Sequence, residues 1–182
     1  MTQALLVIDV QNEYVTGGLP IVHPPVEEGL KRIGAAIDAA NAAGVPVVLV
    51  RHTEPDPSGG LFVQGTPQWE LHADVEGRPH VAVVDKTLPG SFTGTGLEDL
   101  LGELGADHVV VVGWMTHMCV DTTTRQAAHL GLGVTVLEDA TGTIDVSDDL
   151  PAALVHRVEL GVLGDGFASV VPTAEWVASL PA

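Results

Sequence analysis

Three residues that could together carry out hydrolysis each lie at or just beyond the end of an apolar segment. Asp9 ends the run ALLVID, Lys86 is one of only two lysines and follows a second run, and Cys119 is the only cysteine. A thiol can attack a carbonyl carbon, a carboxylate can accept the thiol proton, and an ammonium group can stabilise the resulting thiolate. These residue types predict nucleophilic catalysis by Cys119, provided that the three side chains meet.

The proton transfer from Cys119 to Asp9 sets an energetic condition. With ordinary pKa values it costs on the order of 6 kcal/mol. An ammonium about 4 Å from the sulfur would return roughly 4 kcal/mol at an effective dielectric constant near 20, and a helix amino terminus about 1 kcal/mol. We expect Thr116 to cap a helix and Cys119 to lie in its first turn. Taken singly, the cysteine could equally be a small core residue, the lysine a solvated strand end and the aspartate a loop anchor.

Apolar runs and amphipathic stripes alternate along the chain. The runs at residues 4–9, 45–50, 81–85, 108–113, 134–138 and 168–171 predict strands. Helices are predicted from about 26 to 43, over 97–104, 116–130 and 147–158, and from Thr173 onward. This alternation predicts right-handed parallel crossovers. We therefore expect one α/β domain over residues 1–182, a three-layer α/β/α doubly wound sandwich with a parallel sheet of about six strands.

The carboxyl ends of the predicted strands locate the site, because ligands bind there in open parallel sheets. Asp9, Lys86 and the segment 114–119 all follow strands. The long connection 51–80 is rich in glycine and proline, and connections of this length are usually functional. The residues predicted to line a substrate pocket are Gln11, Phe62, Trp69, Trp114 and His117.

Composition narrows the partners. A net charge of −17 with seven basic residues makes nucleic acid an improbable ligand, so a small molecule is expected. No apolar run reaches the length of a membrane span, and no basic leader precedes the first strand. A single cysteine fits a reducing compartment. We expect a cytoplasmic protein with no membrane partner. Its 46% hydrophobic residues are enough to cover a buried sheet and also to form a subunit interface.

Five segments resemble the isochorismatase-like hydrolases, also called the cysteine hydrolase superfamily. They span most of the chain in the family's order, and the most specific are the Lys-x-x-x-x-Ser-Phe block from Lys86 and the Gly-x-x-Thr-x-x-Cys-Val block ending at Val120. The matching segments are LLVIDVQNEY (5–14), GVPVVLVRH (44–52), VDKTLPGSFTGTGLEDLL (84–101), VVVVGWMTHMCVDTTTRQAAHLG (109–131) and VTVLEDATGT (134–143).

The resemblance implies a role for each candidate residue. Asp9 would be the general base, Lys86 would orient Cys119 and lower its pKa, and Cys119 would attack a carbonyl. It also implies a cis peptide bond between Trp114 and Met115, with the backbone amides of Met115 and Cys119 forming an oxyanion hole. Family members usually assemble into homo-oligomers.

The overall pattern looks like the C–N hydrolase branch of the family, which includes streptothricin hydrolase. The expected reaction is hydrolysis of an amide, lactam or carbamoyl bond through a thioester acyl-enzyme, with the lactam of streptothricin as one candidate substrate. Nicotinamidase-like relatives hold a metal through an Asp-x-His after the second strand, whereas this chain has RHTE at 51–54. We therefore expect no metal and no cofactor. The alternatives are a nicotinamidase-like or isochorismate-type hydrolase, or a catalytically inert binding protein of the same fold.

Overall fold

Residues 2–181 are described by a computed structural model. Their strands form one six-stranded, all-parallel sheet in the order β3-β2-β1-β4-β5-β6. The strands are β1 (Gln3–Ile8), β2 (Val47–His52), β3 (Ala82–Lys86), β4 (His108–Trp114), β5 (Gly133–Gly142) and β6 (Ser169–Val171). The helices are α1 (Val26–Ala42), α2 (Ala73–Glu76), α3 (Leu97–Glu103), α4 (Asp121–His129), α5 (Ala152–Gly166) and α6 (Thr173–Ser179).

The sheet is covered on both faces, which confirms the predicted three-layer α/β/α sandwich. Alternate residues of β1 point to opposite faces: Leu5 and Val7 pack in the cluster beneath α1 and α6, whereas Leu6 and Ile8 pack in the cluster beneath α3, α4 and α5. All four are fully buried. Burial on both faces explains why the central strands are continuous apolar runs rather than alternating patterns.

The order of the strands creates the switch point of the fold between β1 and β4, which are neighbours in the sheet although two strands separate them in sequence. Chains leaving the carboxyl ends of β1 and β4 turn towards opposite faces, which leaves a crevice between them. Asp9 follows β1 directly and the segment that carries Cys119 follows β4, so the topology places both at this crevice.

Two helix predictions need correction. The helix predicted over 147–158 begins only at Ala152, since the preceding Pro151 is extended and the Asp145 carboxylate accepts a hydrogen bond from the Ala152 amide at 2.7 Å. The helix predicted over 116–130 is divided into a π-helical turn, Thr116–Val120, and α4. Within residues 2–181, no helix is both long and apolar enough to cross a membrane.

Candidate active site

Asp9, Lys86 and Cys119 lie close together at the carboxyl edge of the sheet. The Lys86 Nζ atom lies 2.7 Å from Asp9 Oδ2 and 3.3 Å from Cys119 Sγ. All three residues are at most 5% exposed. The predicted convergence of three residues distant in sequence is therefore present in the structure.

Asp9 is held by the turn that ends β1. Its backbone has a positive φ of 52°, a conformation that aspartate tolerates better than most residues. Its amide donates to the Val50 carbonyl at 2.9 Å, and its own carbonyl accepts from the Gln11 amide at 2.8 Å. Apart from Lys86 and the Cys119 thiol, the carboxylate has no hydrogen-bond donor among residues 2–181. It therefore keeps the capacity to accept a proton.

Lys86 is the last residue of β3 and reaches the other two groups across the neighbouring strand. Its register partner on β2 is His52, whose Nδ1 lies 3.3 Å from Lys86 Nζ. The Leu88 carbonyl accepts from the same nitrogen at 3.2 Å. Burial, followed by the charge of Lys86, lowers the pKa of His52, so its neutral ring accepts the hydrogen bond. Backbone pairing and four neutral or anionic acceptors, two of them Asp9 and Cys119, thus fix the position of the ammonium.

Cys119 lies on the π-helical turn Thr116–Val120, which we call the nucleophile turn. The Met115 carbonyl accepts hydrogen bonds from the amides of Met118 and Val120, at 3.0 and 3.2 Å. The expectation that Thr116 caps a helix is wrong, because its hydroxyl bonds to His156 at 2.9 Å and makes no capping bond. Cys119 is consequently the fourth residue of a π turn rather than part of the first turn of an α-helix.

The surroundings of Cys119 raise the pKa of its thiol and so favour the neutral form over the thiolate. Burial is the largest cause that raises its pKa, and the charge of Asp9 raises it further, whereas Lys86 opposes both. Lys86 therefore lowers the thiol pKa, as the resemblance implied, but does not overcome burial. A reaction at this sulfur would therefore need a base to take up the thiol proton.

Lys86 stays charged although it is buried. Burial lowers its pKa, but the charges of Asp9 and Cys119 and the hydrogen bonds to them raise it by more. The site thus holds a permanent cation against a carboxylate and a thiol. That arrangement favours negative charge on either partner and is suited to moving a proton between them.

Two of the predicted pocket residues pin the long connection 51–80 above the site. The Gln11 amide nitrogen donates to the carbonyls of His52 and Trp69 at 2.9 and 2.6 Å, and its oxygen accepts from the His52 amide at 2.8 Å. The Trp69 indole donates to Thr53 at 2.8 Å and lies 3.8 Å beneath the Arg51 guanidinium. Gln11 therefore supports the site through hydrogen bonds, as expected of a residue that does not react.

The other aromatic predictions differ in outcome. Phe62 packs beside the site, 5.1 Å from the Tyr14 ring and 5.2 Å from His52. The side chain of Trp114 does not line an open pocket, because it is fully buried in the core beneath α1 and packs edge-on against Tyr14. A bulky residue at the end of a central strand fills the space between the sheet and the helix layer, which its aromatic character alone did not reveal.

His117 and Met115 lie on either side of the start of the nucleophile turn. His117 bonds through Nδ1 to the Thr143 hydroxyl and lines a cavity of about 360 Å³ with apolar residues of α5 and the loop before it. Burial lowers the pKa of His117. Met115 follows a cis peptide bond from Trp114, which confirms the bond implied by the resemblance.

Two features near the site were not predicted from the sequence, namely Tyr14 and the pair Ser91 and Thr123. Burial and then the charges of Asp9 and Cys119 raise the pKa of Tyr14, so its hydroxyl remains a donor near the site. The Ser91 and Thr123 hydroxyls, 2.8 Å apart, tie the loop after β3 to α4. The sequence did offer a signal for each feature, because Tyr14 is the only tyrosine and Ser91 is the serine of the Lys-x-x-x-x-Ser-Phe block that begins at Lys86.

The residues that could ligate a metal are dispersed. Among residues 2–181, no group of three His, Cys, Asp or Glu side chains is arranged to hold a metal ion. His52 accepts a hydrogen bond from Lys86, and the His72 ring accepts one from the Asp74 amide at 3.3 Å, capping α2. Both imidazoles therefore have protein partners.

Comparison with known proteins identifies relatives of this chain. The sequence model described as the isochorismatase domain matches residues 3–174. A Verticillium dahliae protein named secreted isochorismatase effector is 37% identical over 171 residues, which cover 94% of this chain and 88% of that protein. A streptothricin hydrolase from Streptomyces noursei is 38% identical over 179 residues, covering 94% of this chain and 63% of the relative.

A solved structure shares the whole architecture. It is a Burkholderia xenovorans protein assigned to the isochorismatases, 45% identical to this chain, with a TM-score of 0.94. The superposition covers 98% of this chain and 87% of the other. The shared architecture therefore includes both helix layers as well as the sheet.

Proposed function

The chain belongs to the isochorismatase family, a hydrolase family as expected from its sequence, and we propose that it cleaves a C–N bond of a small molecule through Cys119. One observation supports this mechanism above all. A buried ammonium, Lys86 Nζ, contacts both a carboxylate at 2.7 Å and the only thiol at 3.3 Å. A cation shared by a base and a nucleophile lowers the cost of passing the proton from one to the other.

Acylation begins with the neutral thiol. As Cys119 Sγ bonds to the substrate carbonyl carbon, its proton passes to Asp9 and the carbonyl π electrons move onto oxygen. In the proposal, the backbone amides of Met115 and Cys119 donate to that oxyanion. When the C–N bond breaks, Asp9 returns the proton to the leaving nitrogen, and a thioester and a free amine remain.

Deacylation uses the same groups in reverse roles. Asp9 removes a proton from water as the water oxygen attacks the thioester carbonyl. Collapse of the tetrahedral intermediate breaks the C–S bond, and the thiolate recovers the proton from Asp9. Lys86 stays protonated throughout and stabilises the negative charge, whether it resides on the carboxylate or on sulfur.

The substrate class is proposed as an amide, lactam or carbamoyl compound. The similarity to a streptothricin hydrolase supports testing the lactam of that cationic antibiotic, and a chain of net charge −17 suits a cationic substrate. The partner is thus a small molecule. Cytoplasmic location and homo-oligomer formation stay predictions; the word secreted in the name of the Verticillium relative describes that protein.

A substrate screen tests the proposal. Amides, carbamoyl compounds and lactams are incubated with the protein, with ammonia measured for the first two classes and addition of one water by mass spectrometry for lactams. Cys119→Ala should abolish turnover while retaining the fold by circular dichroism. Hydrolysis of a confirmed substrate at the parent rate by Cys119→Ala would rule out thiol catalysis, and binding without turnover would favour an inert binding protein.

A further inference from the structure

A buried histidine outside the catalytic set contacts the start of the nucleophile turn. His156 lies on α5 and is 7% exposed. Its Nδ1 atom is 2.9 Å from the hydroxyl oxygen of Thr116, which is fully buried. Thr116 is the first residue of the turn that carries Cys119. A side chain of α5 is thereby joined to the backbone that positions the nucleophile.

The direction of this hydrogen bond follows from the other contact of the ring. Burial, and then the neighbouring His23, lower the pKa of His156 to about 4, while a backbone hydrogen bond to Glu138 opposes the shift. The ring is therefore neutral at neutral pH. We assign the tautomer that carries its hydrogen on Nε2, which can donate to a backbone carbonyl such as that of Glu138 and leaves Nδ1 to accept from the Thr116 hydroxyl.

The Thr116 hydroxyl does not carry out the role that a residue at a helix start usually has. It makes no bond to a following backbone amide, and Met115 before it is extended. The turn is held instead by backbone bonds to the Met115 carbonyl and by side-chain bonds on two sides, Thr116 to His156 and His117 to Thr143. The bond to His156 is an anchor from a different layer of the fold.

We infer that His156 is a positioning residue, which holds Thr116 so that the nucleophile turn keeps Cys119 Sγ in contact with Lys86 Nζ. The inference rests on the proposed function, in which Cys119 is the nucleophile. His156 does not touch the reacting atoms. Loss of its acceptor leaves a buried hydroxyl unpaired and frees the turn to move.

A double-mutant cycle tests the coupling. His156→Leu removes the acceptor, Thr116→Val removes the donor, and the double variant removes both. We expect each single variant to lower kcat on the order of tenfold with KM within about twofold, because the turn carries the nucleophile, whereas the predicted pocket residues Gln11, Phe62 and Trp69 lie outside it. The double variant should be no worse than either single variant. Multiplying effects, or an unchanged kcat in His156→Leu, would overturn the inference.

A conservative variant separates positioning from general packing. The Oδ1 atom of asparagine can occupy the place of the histidine Nδ1, so His156→Asn should recover most of the lost kcat. His80→Asn is a matched control, since His80 bonds only locally to the Arg78 carbonyl at 2.9 Å. Failure of His156→Asn to exceed His156→Leu, with both folded by circular dichroism, would contradict the role assigned to Nδ1.

A substrate-independent readout keeps this inference distinct from the proposed function. The rate of Cys119 alkylation by iodoacetamide can be measured in all four proteins of the cycle, because the chain has a single cysteine. Positioning predicts the same change of rate in both single variants and in the double variant. If the alkylation rates follow this pattern while no C–N substrate is hydrolysed, the proposed function is wrong and the inference about His156 stands. If the alkylation rate is unchanged in the variants, the inference about His156 is wrong and the proposed function is not affected.

Discussion

Two ion pairs on neighbouring strand ends have the same length and opposite surroundings. Lys86 and Asp9 are 2.7 Å apart with no exposed side-chain surface, and Arg51 and Asp85 are also 2.7 Å apart, with 53% of the aspartate exposed. Asp85 and Lys86 are adjacent in β3, so their side chains alternate across the pleat. Adjacent residues of β3 thus form a solvent-exposed ion pair on one face of the sheet and a buried ion pair on the other.

The two pairs differ in how many hydrogen-bond acceptor sites of the carboxylate remain unused. Asp85 receives two hydrogen bonds from the planar guanidinium of Arg51, at 2.7 and 3.1 Å. Asp9 instead pairs with the ammonium of Lys86, and that ammonium also contacts the Cys119 thiol. A carboxylate satisfied by a bidentate partner is structural, whereas one with acceptor capacity beside a thiol can take a proton. Length alone does not distinguish a functional ion pair from a surface one.

The largest expected effect comes from neutralising each carboxylate in turn. Asp9→Asn should lower kcat by about 10²–10⁴, because the base that accepts the thiol proton is lost. Asp85→Asn should leave kcat within about twofold of the parent value, since Asp85 touches no reacting group. Steady-state kinetics on a confirmed substrate checks both. Comparable losses in the two variants would erase the distinction.

Removal of the cations compares the same pairs by stability. Lys86→Met should reduce the free energy of unfolding by about 3–5 kcal/mol, because it leaves the buried Asp9 carboxylate without its cation. Arg51→Met should cost about 1 kcal/mol, from a partly exposed pair and its contact with Trp69. Urea denaturation at neutral pH measures both values. Equal costs would mean that burial does not separate the pairs.

A buried ionisable group that is neutral gives a third point of comparison. Because the folded-state pKa of His156 is lowered to about 4, the native state binds fewer protons than the unfolded state between about pH 6.5 and 4. The associated stability is complete above the unfolded-state pKa and is lost as the pH falls through this window. His156→Asn should flatten the decline in melting temperature there, compared with His80→Asn. A parallel decline in both variants would contradict this.

That melting profile also contains contributions from the charged groups around the ring. These groups are His23, whose ring lies 5.4 Å from that of His156, and Glu138, Asp139 and Arg157, which line one surface cavity together with His156. None of them is altered in either variant, so their contributions cancel in the difference between the two proteins. The comparison therefore reports His156.

The smallest effect concerns salt. The pair of Arg51 and Asp85 is screened by ions because the aspartate is solvated, so the difference in unfolding free energy between the parent and Asp85→Asn should shrink between low and high salt. The difference for Asp9→Asn should hardly change. Guanidinium cannot be used as the denaturant, since it is itself a salt. Equal salt responses would show that solvent reaches both pairs.

The proposed catalytic residues and most of the sheet could be predicted from the sequence, but the contacts that orient them could not. Asp9, Lys86 and Cys119 could be found because their chemistry is complementary and each lies at or after the carboxyl end of a buried strand. The start of α5 was predicted five residues too early, because apolar periodicity does not show that Pro151 is extended and that the Ala152 amide donates to the Asp145 carboxylate.

The roles of Trp114 and Thr116 were missed for a related reason. The aromatic side chain of Trp114 suggested a pocket wall, but the alternation of side chains along β4 places it in the core beneath α1. A threonine before a predicted helix suggested a cap, but the Thr116 hydroxyl forms its hydrogen bond with His156, forty residues later in the sequence. Local pattern identifies which residues are able to act, while long-range packing decides which atoms they meet.

Titration of the single thiol tests most directly whether Asp9 and Lys86 act on Cys119 in opposite directions. Thiolate absorbance in the ultraviolet is followed against pH in the parent protein and in Asp9→Asn. We predict no thiolate at neutral pH in the parent, because burial and Asp9 raise the thiol pKa, and a lower thiol pKa in Asp9→Asn, where only Lys86 remains, although this variant has lost turnover. A parent thiolate at neutral pH, or a thiol pKa in Asp9→Asn equal to or above that of the parent, would contradict the account.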